Sequence, residues 1–491
     1  MVGRENISDE LPKLIGGHIE WLLIRENGTT FPLQNTEIEI SIDKQKMLFG
    51  FLGDKGFQTW RIEEFSFDGT ELLLDLTSNF GLVKEKFRLI SRTPANELSH
   101  NIELARIARA NEIGRIFTGT FLDLKLVRVA LNVENGRFAQ IIVESKSGGK
   151  TAVLYDVSEI STPEMLLTSA ILWLRKLQMR TKTPISEIWV ACEKRQSRNL
   201  QKLHALLNEQ VKNQIKIFEV SLQKQEISEL KKLRISDLWR EKPKKLVLPE
   251  SVKTSETAHR IMETAPNEID VIFSKQGETL RFLGLPFVRI RRVLGVEKAW
   301  FGIEKNRRPL NEDSFGELVE LIGNLKNYRQ ANPLQKRHEL YRISPESWLE
   351  SILRRNIKLL DANLILSPIY NQFRTSADKI DLLALRKDGR LVIIELKTSP
   401  DREMLFQAAD YWRKIELQRR RGELKNAKVF GDLEILDKPA LVYTVAPALS
   451  FHRDHELFAK MLSKEIEIWR FELHENWREN LKVISRKSYS E

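Results

Sequence analysis

Two carboxylates and an amine stand close together in the last quarter of the chain: Asp381, Glu395 and Lys397. Two acids and one amine, held rigidly, make a divalent-metal site with a cation beside it. The setting is what makes them notable. The apolar runs Ile380 to Leu385 and Leu391 to Leu396 flank the turn Lys387-Asp388-Gly389, which predicts a β-hairpin. The second run has almost no polar interruption, the pattern of a strand covered on both faces. Carboxylates and lysine are costly to bury, so their place at the end of such a strand asks for a function. Glu395 and Lys397 are two residues apart and share one face of the strand. Asp381, on the partner strand, can approach that face.

The elements around the hairpin carry more polar residues at regular spacing. Met404 to Trp412 reads as a helix in which Gln407 and Tyr411, four residues apart, lie on one face. Upstream, Pro345-Glu346-Ser347-Trp348-Leu349-Glu350 reads as a helix with proline in its first turn and an acidic face. In this order the chain resembles the PD-(D/E)xK nuclease superfamily, over about residues 340 to 475. Asp381 matches the first acid of that motif, Glu395 the second and Lys397 the lysine. The proline that names the motif is absent, because Ile380 precedes Asp381. Gln407 and Tyr411 repeat the Gln-x-x-x-Tyr signature of RecB-like nucleases. The acidic helix is similar to the one that precedes the hairpin in nucleases of the NucS type and the Shedu defence type.

The resemblance implies a restriction-endonuclease-like α/β fold at the C-terminus and an endonuclease that depends on Mg²⁺ (or Mn²⁺). It implies that Asp381, Glu395 and the backbone carbonyl of Leu396 hold the ion. Lys397 would position a water or stabilise the transition state. Gln407 and Tyr411 would orient Lys397 or hold the substrate backbone. Glu350, with Glu346 as the other choice on that face, would reach a second ion or the water shell of the first.

Bulk composition agrees with a soluble, multidomain α/β protein. The chain has 491 residues, too many for one core, with 42% hydrophobic and 30% charged residues. One cysteine, Cys192 in an apolar run, excludes an internal disulfide and a cysteine-based zinc cluster and fits a reducing cytoplasm. No apolar leader core and no membrane-length apolar run is present, so a cytoplasmic location is expected, with no membrane partner. The net charge of +11 favours a polyanion. Nucleic acid, DNA rather than RNA, is the expected partner, and a homo-oligomer is allowed. Basic runs recur at Arg289 to Arg292, Lys305 to Arg308, and Arg419-Arg420-Arg421. Most such runs are solvated faces; the last follows the Gln407 helix and is the candidate nucleic-acid contact.

Five segments are expected. Residues 1–95 are β-rich, with apolar or alternating runs at His18–Ile24, Ile38–Ile42 and Thr59–Ile62 broken by Gly28, Gly50, Gly53 and Gly69; a small barrel or sandwich is predicted. Residues 96–222 are α/β and a candidate degenerate copy of the nuclease domain. An offset of 239 residues places Asn132 on Asn371, Ile141 on Ile380, Val153 on Val392, Ala170 on Ala409 and Trp173 on Trp412. The same offset puts Ile142, Asp156, Ser158, Thr168 and Leu172 at the positions of Asp381, Glu395, Lys397, Gln407 and Tyr411, so the copy would hold no ion. Residues 223–258 read as a charged linker with some helix, 259–334 as a small β module with a connecting helix, and 335–491 as the nuclease domain. Glu144-Ser145-Lys146 also fits Glu-x-Lys, but a Gly-Gly turn follows it instead of a helix.

No Gly-rich phosphate loop, helicase signature or Ser/His/Asp set is present, so motor, nucleotide-hydrolase and protease readings lack support. Three readings remain: a metal-dependent nuclease of DNA repair or anti-phage defence, a nucleic-acid-binding protein with weak or no catalysis, and a defence effector whose nuclease is gated by the N-terminal domains.

Overall fold

The computed structural model describes residues 7–489, apart from 19, 44–45, 54–55, 70, 79–80, 92–94, 181–184, 242–252, 275–276, 294–295, 305 and 368–380. Ile19, residues 242–252 of the expected linker, Lys305, Asn371 and Ile380, which the sequence reading uses, lie outside the described residues. The chain divides into two compact units, Met1–Arg198 with Gln214–Lys231, and Asn199–Asn213 with Lys232–Glu491. Among the described residues no helix is long and apolar enough to cross a membrane.

The first unit opens with α1 (Ile7–Gly16) and seven strands: β1 (Glu20–Arg25), β2 (Thr30–Gln34), β3 (Ile38–Asp43), β4 (Lys46–Gly53), β5 (Gly56–Phe67), β6 (Glu71–Ser78) and β7 (Val83–Ser91). They form one antiparallel sheet in the order β2-β1-β7-β6-β5-β4-β3, not the two facing sheets of a sandwich. Phe31 of β2 and Phe51 of β4 are four intervening strands apart in that order, yet their rings are 5.9 Å apart. The sheet therefore coils around its own core of Trp21, Phe49, Phe51 and Phe87, as an open barrel does. Gly50 does not interrupt β4. A Cβ there would lie 2.5 Å from the Phe57 ring on the neighbouring strand, so the glycine makes room for that ring.

A second sheet follows α2 (Ala95–Thr120). Its strands are β8 (Leu124–Leu131), β9 (Phe138–Ser145), β10 (Lys150–Asp156), β11 (Ile188–Glu193), β12 (Ile215–Ser221) and β13 (Glu226–Glu229), in sequential order. Helix α3 (Pro163–Arg180) connects β10 to β11, and α4 (Lys194–Ala205) and α5 (Glu209–Gln214) lie between β11 and β12. β13 corrects the sequence reading, which assigned residues 226–229 to the linker. Its alternating Glu-Ile-Ser-Glu is mostly exposed, as befits an edge strand, and an exposed edge leaves little apolar signal.

The second unit has α6 (Ile235–Leu238), α7 (Glu256–Met262), and a five-stranded antiparallel sheet of β14 (Ile269–Ser274), β15 (Gly277–Phe282), β16 (Leu285–Val293), β17 (Val296–Phe301) and β18 (Arg308–Pro309). Helices α8 (Phe315–Tyr328), α9 (Glu339–Arg342) and α10 (Pro345–Arg355) lead into a six-stranded sheet. Its strands are β19 (Leu364–Leu366), β20 (Leu382–Arg386), β21 (Leu391–Leu396), β22 (Leu441–Pro447), β23 (Glu467–Leu473) and β24 (Val483–Ser488), again in sequential order. Helices α11 (Met404–Arg420) and α12 (Glu423–Asn426) join β21 to β22, and α13 (His455–Met461) joins β22 to β23.

One buried cation ties these two sheets together. Arg329, wholly buried, donates to the carbonyls of Phe282, Leu283, Leu340, Ile343 and Ser344 at 2.7–3.3 Å. Its guanidinium also lies 4.8 Å from the Trp348 ring. At the same join Gly284, with φ +80°, sits where a Cβ would overlap the carbonyl oxygen of Ser347, so only glycine fits.

The two six-stranded sheets share their pairing senses as well as their order. In each the first three strands pair antiparallel in succession, the third to fifth are parallel, and the sixth turns back. The register corrects the fixed offset, however. Asp156 pairs with Phe138, and Leu382 pairs with Ile394, which brings Asp381 opposite Glu395. Phe138, not Ile142, thus takes the place of Asp381. Both arms of the β9–β10 hairpin are two residues longer, so the offset that holds on β10 slips by four on β9.

Trp412 of α11 is fully buried, and its Nε1 donates to the carbonyl of Ala440 at 3.0 Å. Trp412→Ala should destabilise the second unit by ~3–5 kcal/mol, whereas Gln407→Ala, at a half-buried position, should cost under ~1 kcal/mol. Denaturant unfolding of both variants measures this; equal losses would show that the two helix faces are wrongly assigned.

Candidate active site

The hairpin forms as its sequence predicts. Leu385 pairs with Leu391, and Gly389 closes the turn with φ +84°. Every residue of β21 is buried, so the strand is a stiff rod whose end delivers Glu395 and, one residue past it, Lys397. Asp381 stands one residue before β20, and its Oδ2 accepts from the Leu396 N–H at 2.8 Å.

Lys397 is held between two acids. Its Nζ is 3.1 Å from Glu395 Oε1 and 3.2 Å from Asp401 Oδ2. Burial works against the ammonium charge, but Glu395, Asp401 and Glu346 outweigh it and keep Lys397 above its usual pKa. Asp401 is a partner the sequence reading missed. Burial resists its ionisation, but Lys397 and the Glu403 backbone N–H, 2.7 Å away, hold it below the usual carboxylate range. Its position just ahead of α11 was the available signal, since acids are favoured at helix starts.

The remaining acids are left short of positive charge. Burial pushes Asp381 up to about 7, with the Leu396 N–H opposing and Glu350 adding to the rise. Burial and the neighbouring Asp381 raise Glu395 well above the carboxylate range, against the pull of Lys397. Glu395 Oε2 is buried with no hydrogen-bond partner among the described residues. Glu346 is half-buried and also raised, by burial first, despite Lys397 nearby.

Glu350 differs from the other acids. Its Oε1 accepts from Arg281 Nη1 at 3.2 Å and from Arg354 Nη1 at 3.4 Å. Arg281, buried on β15, also grips Asp270 at 2.6 Å. These arginines compensate the Glu350 carboxylate, and Arg281, 69 positions upstream, gave no local sequence signal.

Among the described residues no group of three or more Asp, Glu, His or Cys side chains is disposed to hold an ion as it stands. Asp381 is turned to a backbone N–H, Glu395 to Lys397, and Glu350 to its arginines. The donor set still fits a hard divalent cation. Two buried carboxyl groups share one spot, both with raised pKa, and one oxygen atom has no hydrogen-bond partner among the described residues.

On α11, Gln407 and Tyr411 are both half-buried. Lys414 Nζ lies 5.4 Å from the Tyr411 ring. The three arginines at the end of the helix make contacts within the chain. Arg419 binds Glu416 and Asp437, Arg420 stacks 4.6 Å over Trp239, and Arg421 donates to the carbonyls of Trp239 and Glu241. Arg420 and Arg421 anchor α11 to the segment after α6, and Arg419 ties it to the loop before β22, which accounts for their clustering without a ligand.

A different basic surface appears on the five-stranded sheet. Leu280, Val288, Ile290 and Phe301 face its core. The alternate residues place Arg289 beside Trp300 and Arg291 beside Lys298 on the outer face. Burial and the neighbouring Arg307 and Arg291 lower the pKa of Arg289, a sign of crowded positive charge.

No protein-family model matches this chain, and no curated protein does. Two solved structures are similar to part of it. One, described as EndoMS in apo form, is 6% identical, with 45% of this chain and 95% of that chain covered and a TM-score of 0.17. The other, a repair endonuclease from Pyrococcus abyssi, is 12% identical, with 39% and 86% covered and a TM-score of 0.11. Both likenesses are too slight to bear on fold or activity.

The raised carboxylates set a pH dependence for the metal-free protein. A carboxyl whose folded pKa is raised stabilises the fold below its unfolded pKa, and that contribution is lost as pH rises through the folded value. For Asp381 the window runs from about 3.8 to about 7, and Glu395 acts in the same direction. In EDTA, stability should fall between pH 5 and pH 8 by on the order of a few kcal/mol, read as a falling melting temperature. Glu395→Gln should flatten that slope; an unchanged slope would mean the pair is not under charge stress.

Proposed function

We propose that the chain is a metal-dependent nuclease that hydrolyses phosphodiester bonds in nucleic acid, DNA in preference to RNA. The observation that carries this reading is the Oε2 of Glu395, which has no hydrogen-bond partner among the described residues, beside Asp381, at the end of a strand with no other polar residue. A purely structural acid would be expected to have both oxygens satisfied. In this reading the hairpin lobe has the PD-(D/E)xK fold, and Asp381, Glu395 and the Leu396 carbonyl hold Mg²⁺ or Mn²⁺. Glu346 is favoured over Glu350 as the third acid, because arginines already neutralise Glu350.

Bound there, the ion would supply positive charge against the phosphate oxygens and acidity to an attacking water. Lys397 remains protonated at neutral pH, so it acts as a cation and hydrogen-bond donor, not as a general base. Held by Glu395 and Asp401, its Nζ has little freedom left to lose when it meets the negative charge on the phosphoryl oxygens. Gln407 and Tyr411 are proposed to steady the substrate backbone alongside. The outer face of the five-stranded sheet, with Arg289, Arg291, Lys298 and Trp300, suits a polyanion carrying stackable bases.

The sheet of β8–β13 is proposed as a degenerate copy of the catalytic one, on the strength of their common strand order and pairing.

Two measurements test the reading. Lys397→Ala or Glu395→Gln should lower cleavage of labelled DNA by at least ~100-fold while binding is retained; cutting at the wild-type rate would remove the site from consideration. Arg289→Glu with Arg307→Glu should weaken DNA binding by ~10-fold or more and reduce its salt dependence. Fluorescence anisotropy in EDTA reads this without any cleavage.

A further inference from the structure

We propose that the lobe carrying Glu395 has a second ligand site, a pocket for one nucleotide on the opposite face of the same strands. Aromatic rings there would stack the base and two cations would meet the phosphate. The site stands apart from the proposed catalytic centre and does not depend on that reading.

A cavity of about 370 Å³ opens beside the hairpin turn, lined by Asp361, Tyr443, Trp469, Phe471, Arg486 and the turn residues from Arg386 to Asp388. Side-chain alternation puts Tyr443 and Phe471 among Ile394 and Trp348, on the face away from Glu395. Both are almost wholly buried and their rings lie 4.4 Å apart, so they make the floor. Trp469 is half-buried, and its indole Nε1 is fixed on Glu467 at 3.1 Å. The volume falls near the lower end of the range for small-molecule sites, about 300–1,000 Å³. Three rings around such a space suit a flat ligand, and every base has a π face to offer them.

The polar lining sorts by charge. Asp361 is buried, and its Oδ1 accepts from the Asn363 backbone N–H at 3.0 Å. The bond that its Oδ2 takes from the Tyr443 hydroxyl is 3.5 Å, long for an O–H donor. Burial, and then Asp361, hold the Tyr443 pKa above its usual value, so the hydroxyl stays protonated. That carboxylate oxygen has room for a better donor, and the ring N–H or amino group on the edge of a base is one. The open side is basic. Arg486 and Lys387 are exposed there, and Arg486 lies 5.2 Å from the Phe471 ring while donating to the Leu360 carbonyl at 3.0 Å. Arg386 is already paired with Asp388 at 2.5 Å, whereas Arg486 and Lys387 form no ion pair among the described residues. Inorganic phosphate would leave the rings unused, and an apolar ligand would bury Asp361 against no donor. A nucleotide satisfies both ends, with its base between the rings and its phosphate on the two cations.

The same chemistry is offered by a free nucleoside monophosphate and by an unpaired nucleotide in a strand, and the test separates the two. The full chain in EDTA is titrated calorimetrically with adenosine, guanosine, cytidine and thymidine monophosphate in turn, and with inorganic phosphate. At least one nucleotide should bind, one per chain, with a dissociation constant below ~1 mM, and phosphate should bind ~10-fold more weakly or worse. Arg486→Glu and Lys387→Glu, both at exposed positions, should each weaken nucleotide binding, and together by ~10-fold or more, with circular dichroism unchanged. Failure of all four nucleotides to bind would overturn the proposal. So would phosphate binding as tightly as a nucleotide, or nucleotide binding untouched by the double charge reversal. A single-stranded tetranucleotide is then added to the nucleotide complex. Displacement assigns the pocket to a strand and retention assigns it to free nucleotide, and either result upholds the site. None of these readouts uses cleavage, so an inactive protein would leave the outcome legible.

Discussion

The chemistry proposed for this chain depends on one constraint: two carboxylates and an ammonium must be kept close at the end of a strand that water does not reach. Such groups repel burial, and the acids repel each other. Only a rigid apolar scaffold keeps them together. β21 provides it, with both faces covered, parallel pairing to β22 on one side and antiparallel pairing to β20 on the other. Trp348, Leu353, Ile394 and Tyr443 fill one of those faces. The rest of the second unit can be understood as support for that strand end. Strain in the site is electrostatic and held by packing.

Much of this was legible in the sequence, and the reason is local. The hairpin, α10 and α11 each announce themselves through short-range signals: an Asp-Gly turn, a proline in a first helical turn, apolar residues at helical spacing. Asp381, Glu395 and Lys397 stood out because charged residues ended a run with no other polar member. What the sequence hid is what depends on distant partners. Nothing near Arg281 foretells Glu350, and nothing near Arg419 and Arg420 foretells Asp437 and Trp239. A basic run looks the same whether it binds a ligand or staples a helix. The slip on β9 has the same origin, since hairpin arms can lengthen in pairs without disturbing the apolar alternation that an offset search follows.

The two six-stranded sheets show how little of a fold is tied to one activity. Their strand order and pairing agree, and a tryptophan, Trp173 or Trp412, is buried at matching places on α3 and α11. Both carry an acid at the end of the third strand, Asp156 or Glu395, but its surroundings differ. In one sheet the carboxylate is left unsatisfied; in the other it is closed by serine donors. The backbone tolerates either, because strand pairing and core packing are settled by the residues between those ends.

Arg329 bears on where this chain can be divided. Composition suggests a seam near residue 334, between the five-stranded sheet and the hairpin lobe. Yet the carbonyls that Arg329 serves lie on both sides of that seam: Phe282 and Leu283 before it, Leu340, Ile343 and Ser344 after it. Severing the chain there would strand a buried cation in one fragment and orphan three acceptors in the other. The five-stranded sheet and the lobe are therefore one heritable piece. Recombination between genes would be expected to preserve it from α7 onward, and a lobe transplanted without its arginine would arrive with the carbonyls of Leu340, Ile343 and Ser344 short of their donor.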